Sequence, residues 1–435
     1  MGVPYDPAVD TTQAGPRAPA LARLVIPAAL VGAGSALTLI ALSVVSKRLE
    51  DWLWKSLPDH LGIGGGSAAW IIGVLVAAGL VVGLIVRFAP GHAGPDPATQ
   101  ELVSAPLGPG VLPGLAAAVA VGLAGGVSLG PENPIVAINV GLAVWLGTKA
   151  TQRVDVPAWL AFAAAGTIGA MFGTPVGAVL VLTETPARPG DPGMWDRLFA
   201  PVVAAGAGAL TMDVFSQPIL DVAVPDYAKA HWGDLLSAPI IAVVGVLITL
   251  PLVYAFPYVH GAFARLTNPI AALVTGGAVL GVLGAIGGRI TLFKGLDEMR
   301  ELVATTSSNG RLVVIIVVKL AALLVAATCG FRGGRIFPAV FVAVALGSLA
   351  HQLVDRVPLS LAIAAAILGV LLVVTRSGWL SLFMAATIVG SVHVVPILCF
   401  ALIPAWLLVT DRPPLVIEPE PGVFPPPEGA ADDAG

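Results

Sequence analysis

GPENP, at residues 130–134, is matched later in the chain by GRIFP, at residues 334–338, and each motif opens a long apolar run. The final prolines, Pro134 and Pro338, lie 204 residues apart in a chain of 435 residues. Proline fits the first turn of a helix, because the N–H that it lacks has no partner there and its fixed φ is already helical. Each motif therefore predicts the start of a helix whose free backbone N–H groups are directed toward the preceding glycines.

The two predicted helix starts form a candidate anion site. The N-terminus of a helix carries partial positive charge on its unpaired N–H groups, so two such ends that meet inside a membrane can hold an anion without a buried cationic side chain. The carboxylate of Glu132, within the first motif, would compete with the anion for that place. The candidate anion-binding residues of the two motifs are Gly130, Pro131 and Asn133, and Arg335, Ile336 and Phe337.

The composition places the chain in a membrane. Hydrophobic residues make up 57% of the sequence and charged residues 11%, and the mean hydropathy is +0.93, whereas about 25% of the residues of a soluble domain are charged. We therefore expect an all-α polytopic membrane protein with the lipid bilayer as a partner. The net charge of −4 and the scattered basic residues exclude nucleic acid as a partner.

Glycine and proline interrupt many of the apolar segments, since the chain has 51 Gly and 37 Pro. Several segments are shorter than the roughly 20 residues that cross a bilayer, so they must be tilted, broken or half-crossing. Irregular backbone at membrane depth implies a lined cavity. The distribution of Lys and Arg in the short connections does not indicate an orientation. Long spans are predicted near residues 21–46, 68–88, 235–256, 270–287, 311–328 and 379–409.

The two halves of the chain share a plan. AAAGTIGAMFGTP begins at Ala163 and AAAILGVLLVVTRSG begins at Ala364, and each follows its own motif by about thirty residues. This similarity predicts an inverted-topology repeat, with halves at about 21–212 and 235–410 and the substrate at their interface. The alternative is that segments rich in Gly and Ala look alike because small residues pack membrane helices. A flexible N-terminal tail and a disordered, Pro-rich and acidic C-terminal tail are predicted at residues 1–20 and 411–435.

The order of three motifs resembles that of the CLC chloride channels and chloride/proton exchangers, from about residue 20 to about residue 415. GPENP corresponds to the family's GREGP, FGTPVGAVLVLTE at residues 172–184 to its NAPLAG-type helix, and CGFRGGRIFPAVFVAVALG at residues 329–347 to its GAPGGIFAP segment. HAGPDPA, LFKGLDEM and GFRGGRIFPAV also look like segments of a divergent bacterial branch of ion-transport proteins. The resemblance implies a CLC-like homodimer in the inner (plasma) membrane, with a pathway for chloride or a similar inorganic anion in each subunit.

The resemblance also implies that Glu132 is a gate. It matches the family's gating glutamate, whose carboxylate occupies the outer anion position and moves away when it is protonated or displaced. An ionised side chain within an apolar span is costly, and it is kept chiefly where a cavity, a partner or donors compensate the cost. The alternative is that Glu132 caps the helix that Pro134 opens, which is a common stabilising arrangement.

Two side-chain donors of the family's anion site are missing from this sequence. AGPDP at residues 93–97 stands where the family has GSGIP, so Gly94, a further candidate anion-binding residue, offers no hydroxyl. PPLV at residues 413–416 is the closest match to the family's segment with a conserved Tyr, and it has no phenol. Arg332 and Arg335 either add positive charge to the anion site or direct their guanidinium groups toward water or acidic loop residues.

The residues that would carry protons are incomplete. The family's exchangers have a Glu near the end of the TPVGAVLVLTE helix, and by spacing that place is Thr185, with Glu184 just before it. Consecutive helical residues point about 100° apart, so the two side chains cannot both face the same proton path. Protons could still arrive through water, or through Glu184 if the register differs by one residue. This departure favours uncoupled conduction over proton-coupled exchange. The candidates for a proton or electrostatic role are Glu184, Lys319 and Arg332, with a structural ion pair favoured for Lys319.

Two other classes of function remain as alternatives. An intramembrane enzyme acting on lipid requires clusters of His or Asp that bind metal or act as bases, and the six His are dispersed without such spacing. We therefore expect no enzyme activity, no metal and no cofactor. A cation/proton antiporter would use Glu132, Glu184 and Lys319, and the ion itself distinguishes it, because helix N-termini favour anions whereas carboxylates and unwound carbonyls favour cations.

Overall fold

The computed structural model describes residues 17–173, 175–184, 193–216, 222, 224–305 and 307–417. This part of the chain is almost entirely helical and contains no strand, apart from one isolated antiparallel bridge described below. The helices of the first half are α1 (Arg17–Asp51), α2 (Leu57–Leu61), α3 (Ala68–Phe88), α4 (Leu112–Ala124), α5 (Glu132–Ala150), α6 (Val156–Phe172), α7 (Pro175–Thr183) and α8 (Met194–Phe215).

The second half has a similar succession of long and short helices. They are α9 (Asp234–Ala264), α10 (Pro269–Gly287), α11 (Leu296–Ala304), α12 (Asn309–Thr328), α13 (Ile336–Leu353), α14 (Leu359–Thr375), α15 (Gly378–Ile388) and α16 (Val395–Val409).

Length and hydropathy divide these helices into two classes. Among the described residues, eight helices are long and apolar enough to cross a membrane, and α4, α6, α14 and α15 are shorter apolar helices of 10–17 residues. Short helices at membrane depth are tolerated only where other protein segments surround them, because lipid cannot satisfy the backbone groups at their ends. In agreement with this, almost every residue of α14 is buried. The predicted all-α polytopic fold with broken helices is therefore confirmed.

One predicted span is wrong. Residues 379–409 were expected to form a single long crossing, but they form two helices, α15 and α16. Gly390 between them has φ of +64°, a left-handed conformation that glycine adopts without steric cost. The hydroxyl of Ser391 then accepts a hydrogen bond from the N–H of His393 at 3.3 Å. Hydrophobicity alone does not reveal this break, because apolar residues continue on both sides of it.

The packing of the helices recurs in the two halves. In the first half α1 packs against α6 and α8, and in the second half α9 packs against α14 and α16. The central contact joins α3 to α10, where a Cβ on Gly79 would collide with the carbonyl of Leu273 and a Cβ on Gly277 with the carbonyl of Leu75. Small residues of this kind allow membrane helices to approach closely. The predicted internal repeat accordingly has a matching set of contacts.

The two tails predicted from the sequence fall mostly outside the described residues. Of residues 1–20, only 17–20 are described, and they belong to α1. Of residues 411–435, only 411–417 are described. This short segment returns to the protein interior, where the N–H of Ile417 donates to the carbonyl of Ala98 at 2.9 Å and Leu415 is buried.

Candidate anion site at two helix starts

The two proline motifs open two buried helices in the same register. α5 begins at Glu132 and α13 begins at Ile336, so Pro134 and Pro338 are each the third residue of a helix. The prediction that these prolines lie in a first helical turn is confirmed, although each helix begins two residues earlier than its proline. Helices α3, α6, α10, α12 and α15 have a side chain that accepts a hydrogen bond from their first turn, whereas α5 and α13 have none. The N–H groups at these two starts are thus not capped locally.

The two motifs meet at Gly130 and Gly334. The N–H of Gly130 donates to the carbonyl of Gly334 at 2.9 Å, and the N–H of Gly334 donates to the carbonyl of Gly130 at 2.6 Å. These reciprocal bonds form the antiparallel bridge. A Cβ on either glycine would collide with the carboxylate of Glu132, so the absence of side chains makes the space that this group occupies. The helix starts therefore converge inside the protein, as the sequence predicts.

The carboxylate of Glu132 lies between the two helix starts. Its side chain is completely buried, and Oε1 accepts a hydrogen bond from the N–H of Phe337 at 2.6 Å. The backbone N–H groups of Ile336 and of Glu132 itself also interact favourably with the carboxylate. Within the described part of the chain, the second oxygen, Oε2, has no hydrogen-bond partner. An acceptor left in this state is costly, so the donors of the two helix starts satisfy the carboxylate only in part.

The side chain of Asn133 turns away from the second motif. Its Nδ2 donates to the carbonyls of Gln100 and Glu101 at 3.4 and 3.2 Å. Pro131, directly before α5, has helical dihedral angles and no side-chain cap interaction. Of the first motif's candidate residues, Gly130 and Glu132 therefore contact the second motif, whereas Asn133 holds the extended segment at residues 100–101.

Arg335 links three parts of the chain. Its guanidinium donates to the carbonyl of Leu415 through Nη1 and to the carbonyl of Gln100 through Nη2, the latter at 2.6 Å. The group also lies over the ring of Phe256, 5.5 Å from the ring centroid. The side chain is only 6% exposed, so the alternative in which it points toward water is wrong. Its positive charge interacts favourably with the carboxylate of Glu132.

Arg332 holds the loop that contains Gly94. Its Nε donates to the carbonyl of Ala93 at 3.1 Å, and its Nη2 donates to the carbonyls of His92 and Gly94 at 2.8 and 2.9 Å. The loop needs this support, since His92, Ala93 and Gly94 all have positive φ values, of 53°, 54° and 90°. Arg332 is also buried, so neither arginine of the GFRGGRIFP segment is directed to solvent. Buried guanidinium groups that bond to carbonyls keep their positive charge within the protein.

Lys319 and Glu184 lie apart from the two motifs. The ammonium of Lys319 is completely buried and donates to the carbonyls of Thr291, Leu292 and Phe293 at 3.1, 2.9 and 2.8 Å. Its direct partners are thus carbonyls rather than the carboxylate of the ion pair that the sequence favoured, although the charge of Glu298 still acts on it. Glu184 is exposed and its Oε1 accepts from the N–H of Trp379 at 3.0 Å. Thr185 lies outside the described residues.

Several partners of these residues could not be predicted from the sequence. The carbonyls of Gln100 and Leu415 bond to Arg335, yet a backbone carbonyl has no sequence signature. Lys294, in the LFKGLDEM segment, is half-buried and its charge acts favourably on Glu132. The only signal for Lys294 was its position beside Gly295 in a segment of mostly apolar neighbours. Within the described residues, no group of three or more His, Cys, Asp or Glu side chains is arranged to hold a metal ion.

Comparisons with known proteins show that this chain is similar to ion-transport proteins. A family model described as "Voltage gated chloride channel" matches residues 73–409. The "Putative ion-transport protein YfeO" of Escherichia coli O139:H28 (strain E24377A / ETEC) is 47% identical over 403 residues, which cover 92% of this chain and 96% of that protein.

Two solved structures are similar to this fold. The structure of a slow cyanobacterial Cl−/H+ antiporter has a TM-score of 0.76 at 15% identity, and the match covers 92% of this chain and 96% of that one. The structure of a CLC-type fluoride/proton antiporter has a TM-score of 0.73, also at 15% identity, with coverage of 92% and 97%. At such identities the likeness is one of fold alone.

Proposed function

We propose that this chain conducts a chloride-like anion between α5 and α13 under the control of Glu132. The chain belongs to the voltage-gated chloride channel (CLC) family, and it is therefore a multi-pass anion transporter. Proteins of this family transport ions, so the expectation that the chain is not an enzyme is confirmed. The gate, the conduction mode and the anion itself belong to the proposal.

One contact carries the proposal for the gate. When it is ionised, the carboxylate of Glu132 accepts from the N–H of Phe337 at the start of α13, so a negative group then occupies the place where the two helix ends concentrate positive potential. An anion and the carboxylate compete for the same donors. Protonation removes the negative charge of the carboxyl group and weakens its hold on the N–H groups, after which the anion takes the place.

The hydroxyl and phenol donors of the family's anion site are absent from this chain. The buried arginines supply positive charge in their place. Arg335 lies at the start of α13 and interacts with Glu132, and Arg332 fixes the loop of Gly94. We place Arg335, Ile336 and Phe337 on one side of the anion and Gly130, Pro131 and Gly94 on the other. Arg332 and Lys319 act by holding loops, and Lys294 adds a favourable field beside the gate.

Uncoupled conduction is the mode we favour. Glu184 is exposed and engaged by the N–H of Trp379, which supports a structural role rather than a buried proton relay. Proton-coupled exchange is the second candidate, because Glu132 is a protonatable group at the centre of the pathway and the two similar structures are described as antiporters. A cation/proton antiporter is less well supported, since the groups that face the site are backbone N–H donors and arginines.

The experiment that tests the function is efflux from liposomes that contain the purified full-length chain. Chloride, fluoride, nitrate and potassium are loaded in turn, and efflux is measured with and without a proton gradient. We expect at least one anion to leave faster than from empty liposomes while potassium does not. Movement of potassium without any anion would refute anion transport, and an anion gradient that drives protons uphill would replace conduction with exchange.

Two further parts of the proposal rest on family membership. We propose that the protein is a homodimer with one pathway in each subunit, and that it resides in the bacterial inner membrane. Light scattering of the detergent-solubilised protein, corrected for bound detergent, gives the mass of the assembly. A mass equal to a single chain of 43.9 kDa would contradict the dimer.

A further inference from the structure

A cavity of about 610 Å³ lies beside the Gly94 loop. Its walls come from the loop at residues 91–96, the end of α9, the start of α10 and the end of α12. Leu266 and Thr267, in the short connection between α9 and α10, also line it, so part of the cavity wall is formed by a loop at the ends of these helices. The titratable or charged side chains in its wall are His92, Asp96, His260, Cys329 and Arg332.

Asp96 and His260 form a hydrogen-bonded pair in this wall. His260 Nε2 lies 2.8 Å from Asp96 Oδ2, and 164 residues separate the two along the chain. The other oxygen, Oδ1, accepts from the N–H of Ala98 at 2.9 Å, which fixes the carboxylate. The Asp96 side chain is 41% exposed and that of His260 is 20% exposed, so the pair is accessible from the cavity.

The other charged groups near the pair are basic. The guanidinium of Arg332 bonds to the carbonyl of Gly94, two residues before Asp96, and its charge acts on Asp96. Burial by itself would raise the pKa of the Asp96 carboxyl, but the hydrogen bonds from His260 and Ala98 hold that pKa below its ordinary value. Asp96 also interacts with Arg335, and it raises the cost of ionising the buried thiol of Cys329. His92 directs Nδ1 to the carbonyl of Val86 at 3.1 Å rather than to the pair.

We propose that Asp96 and His260 form a proton-binding site at the cavity end of the anion pathway, and that the proton bound there promotes anion access. This inference rests on the proposed function, since it concerns anion access to the same pathway. Imidazole is the side chain that ordinarily titrates between about pH 5 and pH 8. The neutral ring donates Nε2–H to the carboxylate, and the imidazolium makes the same hydrogen bond with one more positive charge.

The effect follows from the local charge. With neutral His260, the positive charge of Arg332 is balanced by the negative charge of Asp96. With protonated His260, the three groups together carry one net positive charge, at a cavity that borders Gly94 and Arg332. A positive charge at the mouth of a low-dielectric pathway raises the local concentration of anions. Anion flux is therefore expected to rise when the cavity side is acidified and to fall when it is made alkaline.

The test separates this site from the gate by using Glu132→Ala as the background, because that variant lacks the titrating carboxylate. Anion current is recorded in planar bilayers while the pH on one face alone is lowered from about 7.5 to about 5.5. We expect acid on one face to raise the current about threefold. In Glu132→Ala/His260→Gln this rise disappears, and in Glu132→Ala/His260→Arg the current is high at both pH values. Glu132→Ala/His393→Gln, which changes an exposed histidine outside the cavity, keeps the rise.

Each outcome is decisive. An unchanged rise in Glu132→Ala/His260→Gln overturns the proton site, and so does a rise that is also lost in the His393→Gln control. The absence of any anion current in both the wild type and Glu132→Ala contradicts the proposed function itself. If His260→Gln lowers the yield of folded protein, His260→Arg retains a donor to Asp96 and decides the question by its pH-independent current.

Discussion

The backbone nitrogen of Phe337 lies 2.6 Å from Oε1 of Glu132, although 205 residues separate the two in the chain. This contact joins the start of α13 to the carboxylate at the start of α5. It is a charge-assisted hydrogen bond when Glu132 is ionised, and such bonds are about twice as strong as those between neutral groups. The protonation state of Glu132 therefore affects how firmly the two helix starts are joined, in addition to the backbone bonds between Gly130 and Gly334.

Glu132→Gln is expected to increase anion flux at neutral pH by about fivefold, which corresponds to removing about 1 kcal/mol of competition for the donors. The amide has the size of the carboxyl group but no negative charge, so its oxygen accepts more weakly from the N–H groups of α13 and competes less with the anion. The remaining response to acid should arise only from groups outside this site. Liposome efflux between about pH 5 and pH 8 measures both effects. A variant with the wild-type rate and the wild-type pH profile would show that Glu132 is not the gate.

Gly334→Ala is expected to reduce anion flux at least about tenfold, because the added methyl group would enter the space that the Glu132 carboxylate occupies and that the anion takes when the carboxylate leaves. Gly206→Ala is the matched control, since nothing lies within 4 Å of a Cβ at that position. In the Glu132→Ala background the same Gly334→Ala change should still reduce flux, because the anion takes the place that the carboxylate leaves. A loss of flux that disappears once the Glu132 side chain is removed, in a double-mutant cycle of efflux rates, would contradict this account.

Lys319→Met is expected to lower the free energy of unfolding by about 3 kcal/mol. The substitution leaves the carbonyls of Thr291, Leu292 and Phe293 buried without their shared donor. Lys55→Met provides the control, because the Lys55 side chain is 61% exposed and its ion pair with Asp51 is at the surface. Thermal unfolding in detergent, followed by tryptophan fluorescence, compares the two. Similar midpoints for both variants would indicate that the carbonyls of the 291–293 loop find other partners.

Arg335→Gln is expected to raise the anion concentration needed for half-maximal flux about fivefold, whereas Arg335→Lys should change it less. Glutamine still donates a hydrogen bond toward the carbonyls of Gln100 and Leu415, but it removes the positive charge near the start of α13. Arg412→Gln is the control, since Arg412 is exposed and bonds to the hydroxyl of Tyr254. If Arg335 only supports the fold, Arg335→Gln will lower thermal stability while the concentration dependence of the folded protein stays unchanged.

The features that follow from local chemistry were predictable from the sequence. Proline in a first turn and glycine before it marked the starts of α5 and α13, and hydrophobic length marked most of the spans. The repeat of the same motif indicated that the two starts meet, because an anion site at a repeat interface draws one helix end from each half. The contact between Gly130 and Gly334 was therefore predictable from the sequence.

The partners of the charged side chains were not predictable. Arg332, Arg335 and Lys319 all bond to backbone carbonyls, and every residue type has the same carbonyl, so nothing in a sequence distinguishes the acceptor. The pairing of Asp96 with His260 depends on bringing the end of α9 to the Gly94 loop. Such contacts form only in the assembled fold, so the residues that neighbour a side chain in the sequence do not predict them.

The reciprocal bonds between Gly130 and Gly334 have a consequence for biosynthesis. The ribosome completes Glu132 long before it completes the partners that this carboxylate needs, and neither half of the chain contains the whole set of donors. Until the second motif is inserted, the nascent protein carries an acid without its donors among apolar helices, which favours the protonated form of that acid. A chain that is truncated before residue 334 therefore lacks half of the anion site, and Glu132 has no partner in it from α13.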